Sequence, residues 1–244
     1  MDNASLFVIL AKIAESIAAA QDYDQYSATV KSLAGTLNFD AINIAINKKS
    51  GREFMTDPTV TSLSEQALLD YDRDRWFERD PALAHALWGN GPLLWTPKYW
   101  KQQKQDEYYG LLVAAGISFG LTIPLNIQNR NLTNTFSAIQ LNSLRPEIPD
   151  MNTAYAAQAI GEFLVARAVA LGIADRTSDE PIRLKSLTSH QKEVLRWMAK
   201  GKSNAEIAII LDLSTRTVNY HVSEILTKLG VENRVQAAAI YLSR

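Results

Sequence analysis

"SNAEIAIILDLSTRTVNYHV", residues 203–222, carries apolar residues at helical spacing on both sides of the short break Asp212-Leu213-Ser214. In the helix expected from Thr215 to Leu229, Val218, Val222, Ile225 and Leu229 recur at intervals of four, three and four and form one buried stripe. The opposite face presents Arg216, Asn219, Tyr220, Ser223 and Thr227, with Asn219 and Ser223 one turn apart. The preceding helix is expected to bury Ile207, Ile210 and Leu211. This is the layout of a helix-turn-helix, whose second helix can enter the DNA major groove and offer polar side chains to base edges. Asparagine pairs well with adenine there, and serine tolerates several bases. Thr217, near the helix start, and Lys228, near its end, are placed to hold phosphates. On pattern alone, a small helical bundle with a merely solvated polar face fits equally well.

Outward from this stretch, residues 188–243 accommodate four short helices with clear start and stop signals. Thr188 with Gln191, Ser203 with Glu206 and Asn233 with Gln236 match the capping box or a close variant. Ser214 can cap the third helix, with Thr217 in place of the usual acid, and Gly201 and Gly230 follow the first and third helices as C-terminal glycines. The residues then separate the two readings. "LT" at Leu187-Thr188, "EVL" at Glu193-Leu195, "GKS" at Gly201-Ser203, "EIA" at Glu206-Ala208, Ser214, "TV" at Thr217-Val218, His221, "KL" at Lys228-Leu229 and "NR" at Asn233-Arg234 together resemble the LuxR-type DNA-binding domain. Gln191 stands where that family usually has Glu and retains the capping role. The resemblance implies that His221 packs or meets a phosphate, and no second His or Cys nearby suggests a metal.

The formal net charge of −1 conceals an asymmetry. Residues 1–184 hold 16 Lys/Arg against 21 Asp/Glu, whereas residues 185–244 hold 9 against 5. A basic module on an acidic partner suits polyanion binding, although scatter alone could produce it. The polar stretch Leu171–Ser186, with Pro181, is the best linker and follows the alanine-rich helix of residues 153–171. We therefore expect a sensor and dimerisation domain over residues 1–172, a linker over 173–186 and a DNA-binding domain over 187–244.

In the first of these, residues 4–20, 23–36 and 63–76 read as helices, and "YWKQQKQDEYYGLLVAA" (99–115) as another. "DAINIAIN" (40–47) alternates as a half-buried strand, with "GREF" (51–54) as its hairpin partner. "SFGLTIPLNI" (118–127) and "TNTFSAIQLNSL" (133–144) read as strands joined by an Asn-rich turn. The fold class is α+β: an N-terminal α/β/α sandwich with a mainly antiparallel sheet, and a C-terminal all-α four-helix domain.

Within it, Tyr71, the Asp80-Pro81 pair, Trp95 after "PLL", and Gly116 and Gly120 before "TIP" resemble, in order and spacing, the autoinducer-binding domain of quorum-sensing regulators. The resemblance implies a pocket for an acyl-homoserine lactone or a related lipophilic signal. Asp80 would accept the amide N–H, the Tyr71 hydroxyl would bond a carbonyl, and Trp95 would pack on the lactone. Ser137 would lie near the acyl carbonyl, with Tyr108 and Tyr109 as walls. Such a pocket needs apolar walls and a few placed polar groups. Taken singly, Asp80 could be only a helix cap before Pro81, Trp95 and Tyr109 core aromatics, and the glycines servants of loop geometry. Ala67 departs from the family, which usually has a Trp four residues before the Tyr, and this predicts unusual signal selectivity.

With no cysteine and no long apolar run, the chain is expected to be cytoplasmic, without membrane span, metal or cofactor. His85, His190 and His221 fit no nucleophile or metal motif, so catalysis is not expected. Double-stranded operator DNA and a small-molecule signal are the expected partners. A homodimer is expected because paired reading helices match two half-sites. A DNA-binding protein that ignores small molecules, its pocket merely a filled core, is the competing reading.

Overall fold

The computed structural model describes residues 3–125, 134–174, 184 and 187–242, with side chains from Val8 onward. The chain divides into two compact units, Met1–Thr177 and Ser178–Arg244.

The first unit contains α1 (Asn3–Ala19), α2 (Tyr23–Thr36), β1 (Ala41–Lys48), α3 (Gly51–Thr56), β2 (Val60–Thr61), α4 (Glu65–Arg73), a 3-10 turn (Trp76–Glu78), α5 (Pro81–Trp88), β3 (Leu93–Trp95), α6 (Pro97–Gln102), α7 (Asp106–Ala114), β4 (Phe119–Leu125), β5 (Phe136–Ser143) and α8 (Met151–Ala170). The strands form one sheet in the order β2-β1-β5-β4-β3, every neighbouring pair antiparallel. Helices cover both faces, so β4 is buried throughout. On one face Ile42, Ile44, Ile139 and Leu141 pack with Ile17, Val30 and Leu164 from α1, α2 and α8. Gly161 lets α8 approach closely, since a Cβ there would stand 2.7 Å from Leu125 Cδ2. On the other face Ala45, Phe136 and Ala138 meet Phe54 and Leu83, beside an aromatic cluster of Trp76, Trp95, Trp100 and Tyr108.

Two local expectations are corrected. "GREF" is not a strand: Ser50 caps α3 by accepting from Glu53 N, and the edge strand beside β1 is Val60–Thr61. The helix expected over 99–115 is broken into α6 and α7, because Lys104 takes a left-handed φ of 60° and Gln105 N bonds back to Trp100 O. The Asn-rich turn of residues 126–133 lies outside the described residues.

The second unit contains α9 (Ser189–Ala199), α10 (Asn204–Ile210), α11 (Thr215–Leu229) and α12 (Arg234–Leu242) around Val194, Leu195, Ile207, Val218, Ile225 and Leu229. Capping boxes start α9 at Thr188/Gln191 and α10 at Ser203/Glu206. Asn233 caps α12, accepting from Gln236 N at 3.0 Å, while the Gln236 side chain reaches Glu232 N instead of its cap. Gly201 and Gly230 end α9 and α11 with positive φ of 77° and 61°. Ile210 is exposed, contrary to the expectation that it is buried; Ala208 takes the inward position beside Ile207.

Candidate signal pocket and DNA-reading helix

A cavity of about 170 Å³ opens on the aromatic side of the sheet, walled by Phe54, Met55, Leu83, Leu111 and Leu112. Its polar groups are Tyr71, Asp80, Tyr108, Gln140 and Asn142, and Ala67 lies at its solvent-exposed edge. This is the mixture expected of a small-molecule site, apolar walls with a few convergent polar groups.

Asp80 sits where α5 begins, with Pro81 at the first helical position. Its Oδ1 accepts from Ala82 N at 2.8 Å and Leu83 N at 3.0 Å. Its Oδ2 accepts from Tyr71 Oη at 2.8 Å, and Tyr108 lines the cavity beside them. Asp80 is thus both helix cap and pocket polar group. Burial pushes its carboxyl above the ordinary carboxylate value, against the downward pull of its hydrogen bonds. Burial, reinforced by the Asp80 charge, raises both tyrosines well above the usual phenol value, so they remain hydroxyl donors. Three donors leave one acceptor site of the carboxylate, on Oδ2, open. A ligand N–H can therefore bond Asp80 beside Tyr71 without displacing a donor.

Trp95 lies flat against β4, its Nε1 donating to Thr122 Oγ1 at 2.9 Å. Gly120 makes this possible: a Cβ there would stand 2.2 Å from the indole Cζ2. Thr122 Oγ1 donates in turn to Gln140 Oε1, and Gln140 Nε2 to Asn142 Oδ1 at 2.9 Å. A hydrogen-bonded relay thus runs from Trp95 to the cavity wall. The sequence reading missed Thr122, Gln140 and Asn142. The available signal was Gln140 and Asn142 two apart on a strand whose neighbours are apolar, since such residues share a face.

The structure does not bring Trp95, Ser137 or Tyr109 to the cavity lining. Ser137 points to the opposite face of β5 from Gln140, where its Oγ accepts from Asn47 N at 3.1 Å, inside the register irregularity between Ala45 and Lys48. Tyr109 lies on the outer side of α7, with Lys101 Nζ 4.8 Å from its ring centre. Trp76 packs on Tyr108 and under Arg79, and neither it nor Tyr109 replaces the indole absent at Ala67.

In the second unit, α11 buries Val218, Ile225 and Leu229 and exposes Arg216, Asn219, Tyr220, Ser223 and Thr227. Thr217 is half-buried, its hydroxyl 2.8 Å from that of the cap Ser214. Lys228 Nζ donates to Gln191 Oε1. Asn219 Oδ1 accepts from Asn204 Nδ2 at 2.8 Å, and Asn204 Oδ1 from Arg234 at 3.4 Å. Sequence reading gave neither Asn204 nor Arg234 a role at the reading face. His221 packs on Tyr220, and its buried Nδ1 has no partner among the described residues.

A pocketed α/β/α unit followed by a helix-turn-helix unit defines a ligand-responsive, DNA-binding regulator. Residues 22–167 match the autoinducer binding domain, and residues 185–241 match the luxR family of bacterial regulatory proteins. The chain belongs to the LuxR family and is a transcriptional regulator of quorum-sensing type. It is 27% identical over 220 residues to the transcriptional activator protein AnoR of Acinetobacter nosocomialis, covering 88% of this chain and 89% of that one. It is 29% identical over 180 residues to the regulatory protein SdiA of Escherichia coli, covering 73% and 71%. The structure of SdiA in complex with octanoyl-rac-glycerol shares the fold, with a TM-score of 0.51 at 22% identity over 100% of this chain and 97% of that one.

Proposed function

We propose that the cavity beside Asp80 holds the signal, an acyl-homoserine lactone or a related uncharged amphiphile, and that occupancy changes the affinity of α11 for an operator. The observation that carries this reading is the apolar cavity closed at one side by Asp80, Tyr71 and Tyr108. The signal acts only through a difference in affinity between the DNA-binding and non-binding forms. The small, exposed Ala67 at the cavity edge suits an uncharged amphiphile whose polar head stays hydrated. SdiA, in the structure named above, holds such a compound, an acyl glycerol. The chain regulates in the cytoplasm and catalyses nothing.

The protein works as a homodimer. An apolar stripe of Met151, Tyr155, Ala159, Phe163 and Ala166 runs along the exposed side of α8, at the spacing of one helix face. On DNA, Arg216, Asn219, Tyr220 and Ser223 face the groove, with Thr217 and Lys228 toward the backbone. Mass spectrometry of ligand extracted from the purified protein, followed by titration of the stripped protein with operator present, tests the reading. A bound amphiphile that shifts operator affinity supports it. An operator affinity indifferent to every extracted compound overturns it.

A further inference from the structure

We infer that Asn204 and Arg234 fix which end of the Asn219 amide faces DNA, so that residue 219 reads bases as a hydrogen-bond donor. The inference rests on α11 being the groove-reading helix.

An amide has two ends that look alike in outline but differ in sign, and its orientation is settled by its partners. Here the chain of partners begins at a group that permits only one answer. Arg234 carries donors alone. One of its terminal nitrogens bonds Lys202 O, and the other lies 3.4 Å from Asn204, which must therefore offer Oδ1. Asn204 then has only Nδ2 to turn toward α11, where it meets Asn219 at 2.8 Å. Asn219 must answer with Oδ1. Its Nδ2 is left toward solvent, and no described residue accepts from it. The three residues come from α10, α11 and α12, so the orientation is set by the packing of the domain before DNA arrives.

This alters what residue 219 recognises. An unconstrained asparagine pairs with adenine by accepting from N6 while donating to N7. Asn219 Oδ1 has a second lone pair, but a base donor could reach it only beside the N–H2 group of Asn204, where two donors crowd. The free end of the amide seeks acceptors. Guanine offers two together, O6 and N7, and thymine offers O4; cytosine presents the N4 donor, and adenine sets N6 beside N7. Asn219 therefore selects guanine first and thymine second. Asn204 and Arg234 act as positioning residues.

The test is selection of bound sites from a random duplex library with the full-length protein and three variants. Asn219→Ala locates the base pair that residue 219 reads; if it changes no preference anywhere, the assignment of α11 to the groove fails rather than the inference. At the located position, wild type should prefer guanine over adenine by about tenfold. Asn204→Asp is the decisive variant. Aspartate only accepts, keeps the bond to Arg234 and suits the first turn of α10. It draws Asn219 Nδ2 inward and turns Oδ1 out, so the preference should invert toward the N4 and N6 donors of cytosine and adenine. Asn204→Ala should free the amide and admit adenine. A purely structural role for Asn204 would lower affinity for all sequences together without changing the order of bases. Adenine at the located position in wild type, or the same base order in wild type and Asn204→Asp, overturns the inference.

Discussion

Lys228 Nζ lies 3.0 Å from Gln191 Oε1, so the cation near the end of the reading helix is held by a neutral amide rather than by a carboxylate. The same oxygen accepts from Thr188 N in the capping box of α9. Gln191 therefore orients Lys228 without spending its charge. Gln191→Glu should keep the cap and form an ion pair. Position 191 is buried, so the new carboxylate would lose hydration and the pair should add little net stability. It should, however, withdraw one positive charge from the DNA. Operator and random duplex should weaken together, and the slope of log K against log salt should fall by about one. Lys228→Ala should lower the slope equally. Identical salt slopes for wild type and both variants would remove Lys228 from the phosphate contacts.

Asp80 joins two functions that substitution can separate. Asparagine is a good helix cap, so Asp80→Asn should retain α5. It cannot offer Tyr71 the same charged acceptor, and a buried hydroxyl without its partner costs about 1–3 kcal/mol. The sensor unit should melt earlier and lose its response to signal, while binding of DNA by the second unit in the absence of signal persists. Calorimetry with and without ligand measures both. A full signal response in Asp80→Asn would reduce Asp80 to a cap.

Glu206 supplies a pH dependence with a definite sign. Its carboxylate accepts from Ser203 N at 2.8 Å, the Ser203 hydroxyl at 2.8 Å and Lys202 Nζ at 3.0 Å, which together hold it down to about 2 from an ordinary 4.5. A depressed carboxyl binds fewer protons in the folded state. Its stabilisation is thus complete above pH 4.5 and is lost as pH falls through about 2. Hydrogen exchange of α10 amides should be faster in Glu206→Gln than in wild type at pH 6, with the difference closing toward pH 2. A difference independent of pH would assign the effect to cap geometry alone.

Gly120 is required by its neighbour. A methyl group placed 2.2 Å from the Trp95 ring cannot be absorbed by a flexible end, because the indole is bonded to Thr122 and packed on Trp100 and Tyr108. Gly120→Ala should cost about 1–3 kcal/mol or more and disturb the cavity wall. Trp95→Leu in that background should recover part of the loss. No rescue would place the strain elsewhere.

What the sequence disclosed follows from the range of the interactions involved. The caps at Thr188, Ser203 and Ser214 bond within three residues, so their patterns were readable as they stood. The same rule applied to Ser50 and Glu53 would have marked α3 as a helix. Ser137 was misassigned because one step along a strand exchanges faces, and the face is decided by pairing with β1 and β4. The break at Lys104 carries no glycine or proline to announce it. The link from Arg234 through Asn204 to Asn219 spans three helices and exists only once they pack.

Ala67 places the clearest selectivity test at the cavity edge. It is exposed on α4, one helical turn before Tyr71, so the position that resemblance assigns to an indole is here open to solvent. A signal with a polar head can extend past Ala67 and keep that head hydrated. An acyl-homoserine lactone would lack an indole donor for its carbonyl, with only its amide N–H held, by Asp80. Ala67→Trp should narrow the opening and add a donor. A hydrogen bond made in such a site is worth about 0.5–1.5 kcal/mol net, or roughly two- to tenfold in affinity. The variant should therefore gain affinity for acyl-homoserine lactones and lose it for acyl glycerols, whose heads need the open edge. Thermal shift and operator binding across a series of both classes, at matched chain length, measure the exchange. A wild-type protein that binds one lactone tightly and selectively, with no gain on Ala67→Trp, would show that the missing indole has no bearing on the choice of signal.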